Sequence, residues 1–161
     1  MLAPNRPIVI PVTVQRELRA GSTTHPALAL VLEQEWIQIR DLTTEAELEA
    51  FARYSRRLVG DTGRNLGECG VLALAEVHGF VPVIDDGPAC KAAKEYGVEP
   101  RRTLGLLCEA VTDGKLPLEL VSSVADDLLA TEYRIPMEPG GFAKWAAENG
   151  LLPNGGHLKE P

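Results

Sequence analysis

Four acidic residues, Glu17, Glu68, Asp85 and Asp86, have the types and spacing to share one piece of chemistry. Asp85-Asp86 directly follows Phe80-Val81-Pro82-Val83-Ile84, an apolar run that reads as a strand. In a parallel α/β sheet, sites form outside the carboxyl ends of the strands. Neighbours in extended chain point to opposite sides, so one of the two aspartates faces a cleft and the other does not. Both also suit the N-cap of a helix opening at Gly87-Pro88. Glu68 falls in the first turn of a helix, where an acid also favours the helix dipole. Glu17 falls in a short helix after the first strand and also reads as a solvated charge. Carboxylates gathered in one cleft repel unless a cation sits among them. Mg²⁺ suits such a place because it takes oxygen ligands, keeps several waters and binds phosphates. One or two such ions activate water and stabilise the leaving oxygen of a phosphodiester.

The elements that would position these acids can be read from periodicity. Pro7-Ile8-Val9-Ile10-Pro11 is a β-branched apolar run, the pattern of a buried strand. A short helix opens at Thr13 and stops at Gly21, a second covers residues 26–35, and Trp36-Ile37-Gln38-Ile39 is the next strand. Asp41 to Thr44 supplies turn and N-cap residues. The helix over residues 45–59 is expected to bury Leu48, Phe51, Ala52 and Leu58. A turn-rich loop, residues 60–65, leads to a helix over 66–78 that buries Val71, Leu72 and Ala75 and ends at Gly79. The strand at residues 80–84 leads into a helix over 87–96, and Val98-Glu99-Pro100 is expected as an edge strand. Helices follow over residues 103–112, 118–131 and 141–148, the middle one striped by Leu118, Val121, Val124, Ala125 and Leu128. Strand–helix alternation with short links predicts an α/β fold, a parallel sheet covered by helices on both faces. Residues 1–152 are expected to form a single domain and residues 153–161 a flexible tail.

Composition narrows the class. A chain of 161 residues fits one domain. Apolar residues make up 45% and charged residues 24%, ordinary values for a globular protein. No apolar run reaches the roughly 20 residues of a membrane span, and the N-terminus lacks a signal-peptide core; a cytoplasmic protein is expected. Cys69, Cys90 and Cys108 form no C-x-x-C pair, so reduced thiols used as packing residues are expected rather than a zinc site or disulfides. The net charge of −7 lacks the basic footprint of a nucleic-acid binder, although a metal held by carboxylates would carry surplus acid.

Several blocks resemble the PIN domain. Thr13-Val14-Gln15-Arg16-Glu17-Leu18 is similar to the T-x-x-E-L start of that family's first helical hairpin. Leu66-Gly67-Glu68-Cys69-Gly70-Val71-Leu72-Ala73-Leu74-Ala75 resembles its L-G-E-A-x-A-I-x-L-A helix. Val83-Ile84-Asp85-Asp86, with Ala92-Ala93 and Gly97, resembles its L-x-D-D segment, and Thr103-Leu104-Gly105-Leu106-Leu107 its G-T-L-G-x-L turn. The resemblance spans residues 7–129 and extends to VapC-type toxins of toxin–antitoxin pairs. It implies a three-layer α/β/α arrangement around a central parallel sheet and a Mg²⁺- or Mn²⁺-dependent ribonuclease. It further implies Glu17, Glu68 and Asp86 as metal-site acids, Asp85 as the alternate, an RNA substrate, an antitoxin partner and a homodimer.

The pattern departs in two places. PIN domains begin with a strand ending in an aspartate, and no Asp precedes Asp41 here. Either the family's first strand and helix are missing or its first acid is, which motivates a second reading: a PIN-like protein, catalytically impaired, that binds nucleic acid or a protein partner. Where relatives carry Arg after the Asp-Asp pair, this sequence has Gly87, Pro88 and Cys90, with Lys91 or Lys94 as substitute phosphate contacts or solvated charges. A small-molecule enzyme on a flavodoxin-like sheet is a third reading, without a phosphate loop: Gly60-x-x-Gly63 lacks the Lys-Ser/Thr ending. His25, His78 and His157 show no H-x-x-x-H spacing, and Ser122-Ser123 has no nucleophile elbow. Arg101-Arg102 could touch a phosphate backbone or serve structure.

Overall fold

The structure, a computed structural model, describes residues 7–60, 63–131, 133 and 137–152. The fold is largely helical with a small two-stranded parallel sheet. The chain divides into two compact units, and the division along the sequence falls between Arg101 and Arg102.

The unit Asn5–Arg101 opens with β1 (Ile8–Pro11), which runs straight into α1 (Val12–Gly21). The short α2 (Ala27–Leu32) buries none of its residues, and β2 (Ile37–Arg40) then pairs in parallel with β1, Ile8 opposite Ile37 and Ile10 opposite Ile39. α3 (Glu45–Leu58) starts on a complete capping box: Thr44 Oγ1 accepts the Glu47 N–H while the Glu47 carboxylate accepts the Thr44 N–H. α4 (Leu66–His78) and α5 (Gly87–Glu95) complete the unit. Both end on a left-handed glycine. Gly79 lets Phe80 N–H reach Ala75 O at 3.1 Å, and Gly97 lets Val98 N–H reach Ala93 O at 2.9 Å, the six-to-one bond of a Schellman motif. The core lies between α3, α4 and α5, with Tyr54, Cys69, Leu72, Ala75, Ala89, Ala92 and Ala93 at its centre.

The structure departs from the periodicity in three places. α3 turns Glu47, Ala50 and Tyr54 inward, while Leu48 is 51% exposed. The buried stripe is displaced because Glu47 has polar partners inside, and a stripe defined by apolar residues alone could not include it. Residues 80–84 make a single isolated bridge, Val83 with Arg101, rather than a strand; Pro82 has no N–H to contribute, and Val81 and Val83 are exposed. Val98-Glu99-Pro100 forms no strand either. Val98 N–H is spent on the α5 terminus and Pro100 has none, so pairing falls on Arg101, whose N–H reaches Pro82 O at 2.8 Å.

The other unit contains α6 (Thr103–Thr112), α7 (Leu118–Leu129) and α8 (Phe142–Glu148). Its own core gathers Leu104, Cys108, Val111, Val121, Ala125, Phe142 and Ala146, with Leu118 and Leu128 packed against it as their spacing predicted. All three cysteines are free and buried, and burial pushes the Cys108 thiol up to about 11, consistent with packing residues. No helix among the described residues is long and apolar enough to cross a membrane. Residues 153–161, expected as a tail and including His157, lie outside the described residues.

Candidate functional site

Pro11, Thr13 and Glu17 sit at the end of β1 and along the first turns of α1, and they face α4. α4 receives them with two glycines one turn apart. A Cβ on Gly70 would lie 2.4 Å from Thr13 Oγ1 and 3.0 Å from the Pro11 ring; one on Gly67 would lie 2.4 Å from Glu17 Oε2. Glycine at these positions is therefore what allows α1 to approach α4.

That approach fixes Glu17. Asn65, at the N-cap position of α4, offers no side-chain bond to the helix. The Glu17 carboxylate takes that part, accepting the Gly67 N–H at 3.0 Å from fifty residues earlier in the chain. Desolvation raises the Glu17 pKa, and the neighbouring Glu68 carboxylate adds to the rise, against the lowering by the Gly67 bond. Glu17 and Glu68 are thus brought together at the start of α4. Thr13 Oγ1 beside them is buried without a hydrogen-bond partner among the described residues.

Asp86 lies elsewhere in the local bonding scheme. It is the N-cap of α5, and its Oδ1 accepts the Ala89 N–H at 2.7 Å, with Pro88 inside the first turn. Asp85, the residue before it, is half-buried. Among the described residues, no group of three or more His, Cys, Asp or Glu is arranged to hold a metal ion. The donor set therefore does not amount to the ring of acids that the resemblance implies: two carboxylates meet at α4, and Asp86 is engaged with its own helix. Lys94 pairs loosely with Glu99 at 4.0 Å, and Lys91 is exposed.

The acid most completely enclosed is one that sequence reasoning did not single out. Glu47 is 0% exposed. Its Oε2 accepts the N–H groups of Thr43 and Thr44 at 2.8 Å each, and its Oε1 lies 2.6 Å from His78 Nε2 and 3.2 Å from an Arg40 guanidinium nitrogen. The Thr44 and Thr43 N–H groups and His78 hold its pKa down to about 2 against the cost of burial. The group joins the end of β2, the start of α3 and the end of α4. The Thr44-x-x-Glu47 spacing was a visible sign of the cap; nothing local announced Arg40 and His78.

The family model described as PIN domain (DUF3368) matches residues 2–139. The chain belongs to the PIN-domain family. No curated protein and no solved structure matches it. The matched span takes in the Glu17, Glu68 and Asp85-Asp86 blocks of the PIN resemblance, and equally the Glu47 cluster. Dependence on a divalent metal is general to the PIN family; the acids of this chain are disposed as described above.

Proposed function

We propose that this chain is a PIN-like protein that acts by binding a partner, most favourably another protein, without forming a complete metal-dependent nuclease centre from its own described residues. The observation that supports this reading most is the engagement of the acids in the fold. Glu17 caps α4 through Gly67 and Asp86 caps α5 through Ala89. A carboxylate that already accepts a backbone N–H has given up part of its capacity to bind a metal. The net charge of −7 favours a protein over a phosphate backbone as the partner. In this reading residues 1–152 make one domain, the sheet fragments belong to a three-layer α/β/α PIN arrangement, and the protein works in the cytoplasm.

A second reading keeps the nuclease, with an antitoxin or a second copy as the binding partner. The meeting of Glu17 and Glu68 favours it, because a carboxylate brought up to the partly desolvated Glu17 also favours a cation between them. Here Glu17, Glu68 and Asp86, with Asp85 as alternate, would hold Mg²⁺ or Mn²⁺ against an RNA strand. Incubating the full chain with structured RNA and Mg²⁺ or Mn²⁺, with EDTA and Glu68→Gln as controls, separates the two. The binding reading expects no metal-dependent products; cleavage that EDTA and Glu68→Gln both abolish would replace it with the nuclease.

A further inference from the structure

α2 reads Ala27-Leu28-Ala29-Leu30-Val31-Leu32, apolar at every position, yet it buries none of these residues. A helix that is apolar all round is normally enclosed. Here α2 packs chiefly on α1. Leu28 lies against Gly21, where an added Cβ would come within 2.9 Å of the Leu28 Cδ1. That contact takes one side of α2. Ala27 and Leu30, three residues apart and so neighbours on a helix surface, stay outside, and Leu30 is 59% exposed.

Side-chain bonds extend this outer side and fix it. The Gln34 amide donates to Leu30 O at 2.8 Å and accepts the Trp36 indole N–H at 3.2 Å. Trp36, 45% exposed, is thereby tied to the carboxyl end of α2. Apolar residues scattered singly over a surface are ordinary. A leucine and a tryptophan bonded into one preordered group are a different matter. Tryptophan is among the residues that anchor protein interfaces, and order before binding lowers the cost of association.

The charges around the group have one sign. Glu33 and Glu35 flank Gln34, are exposed, and hold no ion pair among the described residues. The bases of the same helical pair, Arg16 and Arg19, are exposed too. By helical periodicity they fall on the side of α1 away from Gly21, and so away from α2. An exposed indole attracts cations over its face. Trp36 and the two acids therefore favour the same charge in whatever covers them.

We propose that the outer side of α2, with Trp36, is the docking surface for one amphipathic helix of another protein, leucines along one face and lysines or arginines beside them. The leucines pack around Leu30 as ridges of one helix enter grooves of the other, and the small Ala27 leaves room for them. The basic residues meet Glu33, Glu35 and the indole, which selects the partner and its direction. The inference rests on the partner-binding reading and names the surface and the partner's form.

The test uses the full chain and two peptides of about 18 residues, long enough to hold a helix. Both carry leucines at helical spacing on one face; one has lysines beside them, the other glutamates. Calorimetry is expected to show one saturable site for the lysine peptide and binding of the glutamate peptide weaker by about tenfold or more. Leu30→Asp and Trp36→Ala are each expected to weaken the lysine peptide by about tenfold. Glu33→Lys combined with Glu35→Lys is expected to reverse the preference, a result that an unfolded chain cannot give. Absence of saturable binding, equal binding of the two peptides, indifference to Leu30→Asp, or an unreversed preference would overturn the proposal. So would a dimer of the free chain, seen by sedimentation, that Leu30→Asp dissolves, since a second copy would then hold the surface. A chain that cleaves no RNA yet ignores both peptides loses this surface and retains the partner-binding reading. One that cleaves RNA and binds the lysine peptide through Leu30 loses that reading and keeps the surface.

Discussion

Gly70 and Gly67 look interchangeable in the sequence, but they meet different neighbours. A Cβ on Gly70 runs into the stiff Pro11 ring and Thr13, whereas one on Gly67 meets the movable end of Glu17. Gly70→Ala is therefore expected to cost about 1–3 kcal/mol by overpacking. Gly67→Ala is expected to fall near zero, because the usual helix gain of about 0.5–1 kcal/mol offsets the displaced cap; urea melts of both variants check the contrast. Glu17 carries the opposite lesson. Its pKa is raised in the folded chain, so its stabilising, protonated form is lost as pH rises through that value. Glu17→Gln keeps an acceptor for Gly67 and removes the charge, so a thermal melt at pH 7 is expected to show a midpoint no lower than the parent's. Glu47 behaves in the reverse sense. A carboxylate held at about 2 against an ordinary 4.5 contributes stability of about 3 kcal/mol that is present above pH 4.5 and lost as pH falls toward 2. A Glu47→Gln variant should be less stable at pH 7 and should lack that loss between pH 4.5 and 2 in melts across the range.

At the scale of elements, α3 is where sequence and structure part most clearly. The helix and its N-cap region were legible from Asp41 to Thr44 and the run after them; the part Glu47 takes in a capping box was not read from the sequence. Its buried face was not, because the inward position is held by a glutamate that only distant Arg40 and His78 make tolerable. Two substitutions separate the faces: Leu48→Lys, on the exposed side, is expected within about 0.5 kcal/mol of the parent, and Tyr54→Ala, at 0% exposure, is expected to cost about 3–5 kcal/mol. Tyr54 also packs edge-on to Tyr96 at 5.2 Å, with the Arg53 guanidinium 4.9 Å from the Tyr96 ring, so its loss opens more than one contact. The helices over Leu66–His78 and Leu118–Leu129 were readable because strong apolar spacing and local punctuation agree there. The strand expected at residues 80–84 was not realised as one, because strand formation depends on a neighbour that local sequence cannot supply. Of the candidate site, the approach of Glu17 to Glu68 was legible through family spacing; the cap that Glu17 forms on α4 needed the fold itself.

At the scale of the whole molecule, membership of the PIN-domain family and the use its acids are put to are separate matters. The family likeness resides in the spacing of Glu17, Glu68 and Asp85-Asp86. The local chemistry engages Glu17 and Asp86 as caps, which ties them to stability as much as to any ligand. In the function proposed above, Glu17 and Asp86 serve the fold and the chain acts by binding a partner. Titrating the full chain with Mn²⁺ in a calorimeter tests it most directly, with Glu68→Gln alongside. No saturable stoichiometric heat and superimposable curves for the two proteins are expected. Stoichiometric binding by the parent that disappears in Glu68→Gln would contradict it.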